Sequence, residues 1–293
     1  FFPRMDRLDA EISALERLWS PGPWIEFLAL LASILSSYWL LRVCSPVSNL
    51  LSSRQLWHLG LADFVHASIQ LAFSQIPHDF LFLPPPSLAL ACSARAAIHF
   101  CLITLCLVEV QIAATVATAS YRNFKLAVVL GKVLPYSWLV SAFLAALDCY
   151  TITQHTVVLK SGQITGSAPV VAAVMTASFI ATFALYLLAV VQVTRMRCTQ
   201  SVVWQTSLLA LLYPLNFTIT VFPTWFIHKS YIKDYGVGMR HWVAAVCLDS
   251  NGWINALTYG WQSFEVGPQE AFGVLPGLDV SLLKNSEAIG FEV

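Results

Sequence analysis

VVAAVMTASFIATFALYLLAVVQVT, residues 170–194, holds no Asp, Glu, Lys, Arg or His in 25 consecutive positions. A helix needs roughly 20 mostly apolar residues to cross the hydrocarbon core of a bilayer, and this stretch meets that length without a single ionisable group. The rest of the chain has the same character. It has 293 residues, 57% apolar and only 11% charged, whereas a soluble domain carries roughly 25% charged residues. So few charges cannot cover a water-facing surface of this size. The solvent for most of the chain is therefore lipid.

Six further stretches are long and mostly apolar, which predicts an all-α, seven-transmembrane helix bundle. The expected spans are Trp24–Val43, Gln55–Ile76, Ala96–Ala119, Val133–Tyr150, Val170–Thr194, Val202–Ile227 and Val237–Gln262. The connections are short, as between packed neighbours. Pro77 and Pro84-Pro85-Pro86 predict an extended second-to-third loop, because Pro breaks helices. Pro135 stands at the first turn of span four, where a missing N–H costs little. Pro214 and Pro223 fall inside span six and predict helix kinks. The loop Thr151–Pro169 is rich in Thr, Ser, Gly and Gln.

Residues 1–23 form an N-terminal tail. Within it, Leu8, Ile12, Leu15 and Leu18 share a helical face, which fits either a short amphipathic helix or a poorly ordered tail. The chain opens on Phe1-Phe2-Pro3 rather than Met, as a fragment or a sequence lacking its start would, with Met5 the candidate initiator. Seven charges in residues 1–20 leave no apolar stretch of signal-peptide type. Residues 24–263 hold the spans, and residues 264–293 read as a mobile cytoplasmic tail.

The 16 basic and 16 acidic residues cancel, which argues against nucleic acid as a partner. Orientation by basic residues is a tie, eight on each side. The inner loops are shorter and free of Asp and Glu if the N-terminus is outside, which favours that placement. The seven Cys show no CxxC or Cys/His metal spacing, so neither a metal site nor a cofactor is expected.

Ionisable groups inside spans cost ~2.5–3.5 kcal/mol at the centre on insertion scales. Asp63 in span two, Glu109 in span three and Asp249 in span seven therefore stand out. Ser250, Asn251 and Asn255 follow Asp249. These six residues are expected to face the bundle interior as a central polar network. Two readings stay open for it: packing groups that fix helix register, or a polar switch or ion site between spans two, three and seven. Glu26 lies near its span end and reaches the interface.

Three motifs now line up. Span two reads Leu59-Gly60-Leu61-Ala62-Asp63-Phe64. Span seven reads Ser250-Asn251-Gly252-Trp253-Ile254-Asn255-Ala256-Leu257-Thr258-Tyr259-Gly260. Span six carries Tyr213-Pro214 and, nine residues on, Pro223. Together they resemble the seven-transmembrane G-protein-coupled receptors, in the cyclic-AMP-receptor-like and secretin-like (family 2) branch. The resemblance covers about residues 24–265. It implies a plasma-membrane receptor that carries an unknown extracellular ligand's signal to a cytoplasmic partner, with a heterotrimeric G protein as the candidate, by helix rearrangement.

The same resemblance implies a cytoplasmic-end switch at Tyr121, Arg122 and Tyr259. It also implies a disulfide from the top of span three to the second outer loop, for which Cys101 and Cys149 are the candidates and Cys92 an alternative for the first. The chain departs from the pattern in two places. Ala119-Ser120-Tyr121-Arg122-Asn123 stands where rhodopsin-like receptors carry Asp-Arg-Tyr, and Val221 replaces the usual Trp between the span-six prolines.

Other classes fit less well. A light-driven rhodopsin needs a Lys in span seven, which has none. A seven-span zinc hydrolase needs convergent His and Asp ligands, and the later spans hold no HxxxH or HxxxD pair. No catalytic residue is expected, and His66, three residues from Asp63, reads as its hydrogen-bonded core partner. The alternative is a small polytopic membrane transporter, which would show self-similar repeats; none is visible.

Overall fold

The computed structural model describes residues 21–45, 51–74, 85–155, 157–158, 164–165, 169–196, 212, 214–223 and 237–266. The helices are α1 (Pro21–Cys44), α2 (Leu51–Ser74), α3 (Pro85–Ser120), α4 (Phe124–Val133), α5 (Tyr136–His155), α6 (Pro169–Arg195), α7 (Val237–Asp249) and α8 (Asn251–Val266). Residues 214–223 are also largely helical. Apart from one short ladder, the described residues are all-helical.

Among the described residues, Trp24–Cys44, Ser93–Ser120 and Pro169–Arg195 are long and apolar enough to cross a membrane. A fourth crossing is present if the bent pair Lys125–Val133 and Tyr136–Thr151 counts as one. α2 is as long as α1, but Arg54, His58, Asp63 and His66 lower its apolar content.

The burial pattern is that of a protein whose solvent is apolar. Leu139, Phe143, Ile180, Phe183 and Leu257 are exposed, while Asp63, Glu109, Asp148, Asn251 and Asn255 are buried. In lipid, apolar side chains gain nothing by facing inward, so polar groups and small residues occupy the helix interfaces instead.

α3 is the central helix and packs on α2, α4, α5 and α6. α1 packs on α2, α7 and α8, and α8 also meets α2. Leu40, Leu56, Leu59, Val108, Leu134 and Tyr259 belong to one apolar cluster. Leu102, Met175, Phe217, Val221 and Leu248 belong to a second, which seats residues 214–223 against α3, α6 and α7.

Several sequence expectations are revised. Span four is not one helix over Val133–Tyr150: α4 precedes it, and the two helices meet at an angle of 49°. Pro135 is the cause, since it lacks the N–H that would bond the Gly131 carbonyl one turn back. That carbonyl instead accepts a long bond from Arg54 Nη2 at 3.5 Å. The chain restarts with tighter bonds, Ser137 N–H to Leu134 O at 3.2 Å and Trp138 N–H to Pro135 O at 3.3 Å.

Pro85 and Pro86 do not lie in an extended loop. They sit in the first turn of α3, where the missing N–H groups have no intrahelical partner to lose. The Thr151–Pro169 connection begins as helix through His155 and then forms the antiparallel pair Val157↔Thr165 and Val158↔Ile164. Span seven is two helices joined at Ser250, with Ser250 N–H to Val246 O and Ile254 N–H to Ser250 O carrying the bonding pattern across the junction. α8 also runs three residues past the expected boundary at residue 263. The N-terminal tail before Pro21, most of span six and the tail after Val266 lie outside the described residues.

Candidate functional site

The centre of the site is Asp63, 3% exposed, on the inward face of α2. Asn251 Nδ2 donates to its Oδ1 at 2.7 Å, and Asn255 Nδ2 donates to its Oδ2 at 3.1 Å. The two amides stand four residues apart on α8, so one helical face delivers both. Each carboxylate oxygen thus has one donor from the last helix of the chain.

The network extends to residues 214–223. Thr220 Oγ1 lies 2.8 Å from Asn251 Oδ1 and 2.8 Å from the Asn216 carbonyl. A hydroxyl has one proton, so these two acceptors share or compete for it. Asn216 Nδ2 donates to Thr258 Oγ1 at 2.5 Å, and Thr258 Oγ1 donates to Ile254 O at 2.9 Å. Asp63, Asn251, Thr220, Asn216, Thr258 and Asn255 therefore form one buried polar system across three segments.

Close packing lets α8 reach Asp63. Gly252 faces α1, and a Cβ there would come 2.6 Å from Ser37 Oγ and 3.1 Å from Ser33 Cβ. Ser33 Oγ in turn donates to the Asp249 carbonyl at the end of α7. Small residues at a helix interface allow this approach.

The expected network is only partly assembled. Asp63, Asn251 and Asn255 are bonded together. Glu109 is 4% exposed, but its Oε2 has no hydrogen-bond partner among the described residues. Asp249 and Ser250 are buried at the α7–α8 junction; Asp249 Oδ1 is likewise unpartnered, and this residue joins α1 through its backbone. His66 does not pair with Asp63, both of whose oxygens are taken by the asparagines; its Nε2 has no partner among the described residues.

Pro214 and Pro223 bracket residues 214–223, and the helix is interrupted at Val221 between them. Tyr121, Arg122 and Tyr259 are not brought together as one switch. Tyr121 and Arg122 are exposed in the turn after α3, while Tyr259 is buried in the α1–α2–α3 cluster against the ring of Trp39, 6.2 Å away. Arg122 has φ 54°. Its N–H bonds Ala119 O at 3.0 Å and the Asn123 N–H bonds Thr118 O at 3.0 Å. That is the Schellman ending of a helix, with Arg where Gly is usual. Asn123 Oδ1 then accepts from Leu126 N–H and caps α4.

The expected Cys101–Cys149 bridge is absent. Cys101 is a free thiol, fully buried inside the bundle; Cys92 is outside the residues with described side chains. A non-covalent tie that sequence reading missed links the same two helices. His99 Nδ1 on α3 lies 2.7 Å from Asp148 Oδ2 on α5. Asp148 Oδ1 accepts from the Val170 and Val171 amides at 3.0 and 3.3 Å. One fully buried carboxylate thus joins α3 and α5 and caps the start of α6.

Two smaller polar ties brace α2 against α3 and α5. Gln55 Nε2 donates to Gln111 O at 3.1 Å and to Thr115 Oγ1 at 2.7 Å, and Gln111 Nε2 continues to Ser137 Oγ at 2.7 Å. Trp138 Nε1 donates to His58 Nδ1 at 2.9 Å, which requires the lone pair on that nitrogen. No group of three or more potential metal ligands occurs among the described residues.

Comparison with known protein families and with characterised proteins finds no match for this chain.

Proposed function

We propose that the chain is a seven-span receptor of the G-protein-coupled kind, transmitting an extracellular signal to a cytoplasmic partner by helix rearrangement. The seven crossings would be α1, α2, α3, α5 with α4 leading into it at the interface, α6, the span containing residues 214–223, and α7–α8, in that order. The N-terminus would lie outside, in the plasma membrane. The observation that carries the reading is the tie of Asp63 to Asn251 and Asn255, extended through Thr220 to the proline-bracketed sixth segment.

The mechanism is a population shift between two bundle arrangements. Ligand on the outer side favours one position of the sixth segment. Pro214 and Pro223 remove backbone bonds there and allow it to bend. As the segment moves, the Thr220 hydroxyl donates its hydrogen bond either to Asn216 O or to Asn251 Oδ1. The hydrogen-bonding of Asp63 changes with it, and the inner end of the segment opens a groove for the partner. Coupling between sites is typically ~1–3 kcal/mol, and one rearranged buried hydrogen bond at about 0.5–1.5 kcal/mol supplies much of that.

Asp63→Asn tests the reading. The full chain and the variant are expressed in cells carrying a panel of heterotrimeric G-protein dissociation sensors, and basal activation is compared at equal surface expression. The expected result is activation above background that changes about fivefold in the variant, the lower end of a typical coupling energy. Activation that Asp63→Asn leaves unchanged, or no activation by the full chain, would overturn it.

A further inference from the structure

α4 is not part of the polar centre, yet its surface is built in a specific way. Lys125 and Lys132 are both exposed. Seven residues apart, they lie on one stripe of the helix, about 10 Å from each other along the axis. Leu126, Val129 and Val133 are exposed on the flank beside that stripe, while Gly131 is buried and Ala127 half-buried against the bundle. The helix therefore has three faces: a packed one, an apolar exposed one and a cationic one between exposed apolar residues. Arg122, exposed in the turn before α4, adds a third cation.

Two observations indicate what covers this surface. The exposed apolar residues continue past the bend at Pro135 into Tyr136, Leu139, Val140 and Phe143 of α5, which are also exposed. The apolar flank of α4 is thus continuous with the lipid-facing side of α5. Moreover, no Asp or Glu occurs between Glu109 and Asp148, so no acid within this stretch offsets the cations. Apolar residues beside lysines are the composition of a helix lying in the bilayer interface, with its cations at headgroup level.

We propose that α4 and the turn before it are a docking surface for anionic phospholipid headgroups, held by Lys125, Lys132 and Arg122. The proposal depends on the helices lying in a membrane and not on the receptor reading; a transporter built from the same helices would carry the same surface.

The test uses the full chain reconstituted in phosphatidylcholine vesicles with trace spin-labelled phosphatidylserine or spin-labelled phosphatidylcholine. The motionally restricted fraction of each probe gives its relative association with the protein. The expected result is a severalfold preference for the serine lipid that weakens with added salt. K125Q and K132Q should each lower it, by up to about fivefold per cation, and K125R/K132R should retain it. Helix content by circular dichroism separates loss of the surface from loss of the fold, and each single variant reports independently if the double variant does not incorporate. Equal association of the two probes with the native chain would overturn the proposal. So would a preference that survives in folded K125Q/K132Q. Since this readout contains no partner and no ligand, it stands or falls separately from the signalling assay.

Discussion

Asp63 and Asp148 are both buried carboxylates with partners on other helices, yet they are held differently. Asp148 receives His99 on one oxygen and two amides from the first turn of α6 on the other. The amides belong to the backbone and cannot leave without unwinding the helix. Asp63 receives only two side-chain amides, and these side chains are themselves shared. Asn251 also faces Thr220, whose proton has a second acceptor in Asn216 O. The Asn255 side-chain Oδ1 has no partner among the described residues. Asp148 is thus built as a fixed joint and Asp63 as a group whose partners have alternatives. The first arrangement suits stability and the second a change of state.

The largest expected effect comes from removing each acid. Asp148→Ala should destabilise the folded chain by about 3 kcal/mol, because breaking a buried pair leaves polar groups on two other helices, α3 and α6, unserved. Asp63→Ala removes two amide hydrogen bonds, worth on average ~0.6 kcal/mol and at most ~1.7 kcal/mol each within membrane helices. Its cost should be about half as large. Thermal unfolding of the full chain in detergent, followed by labelling of cysteines as they become accessible, measures both. Equal shifts for the two variants would break the distinction between joint and switch.

How far these two acids were legible in the sequence follows from their surroundings. Asp63 stands in the middle of an apolar run, and Asn251 and Asn255 fall four residues apart in another, so burial and a shared face could both be read. Asp148 sits close to the polar stretch that starts at Thr151 and looked like the end of a span. Only the continuation of α5 to His155 places it two turns inside a helix. Its partner His99 is a single histidine in an apolar helix, with no spacing that points to a residue 49 positions on. Ser33 and Thr220 are isolated hydroxyls of the same kind. Glu109 was legible as an interior acid, but whether it would find a hydrogen-bond partner depends on side-chain directions that periodicity does not give. The positions of the described long helices were readable because runs of roughly 20 apolar residues mark them. The bend before α5 was not, since Pro135 is compatible either with a helix start or with a break between two helices.

A smaller effect should come from the contact that brings α8 to Asp63. Gly252→Ala adds a methyl group 2.6 Å from Ser37 Oγ and 3.2 Å from the Ser33 carbonyl. The serine side chain can turn aside, but the backbone carbonyl can move only with α1. Overpacking of this sort costs about 1–3 kcal/mol, and with the Ser37 side chain free to turn aside the lower end, about 1 kcal/mol, is expected. Here it should also alter signalling, because Asn251 is the adjacent residue and its reach to Asp63 depends on the same helix separation. The same unfolding assay and the G-protein sensors report the two consequences. A variant that lowers stability while leaving sensor activation untouched would show that the α1–α8 contact is independent of the Asp63 centre.

The smallest effect on stability is the most direct test of the switch. Thr220→Val keeps the side-chain shape and removes one hydroxyl. Asn251 Oδ1 then loses its bond to the sixth segment, while Asn251 Nδ2 and Asn255 Nδ2 still serve Asp63. The loss in stability should be about 0.6 kcal/mol, the average for a hydrogen bond between membrane helices. Under the proposed mechanism, signalling should change by more than that energy alone allows through stability, because the two acceptors of this hydroxyl would distinguish the two proposed states. Thr220→Ser retains the proton and should restore native activation. A valine variant that signals like the native chain would remove the sixth segment from the switch and leave Asp63 as a second structural joint, equivalent in kind to Asp148.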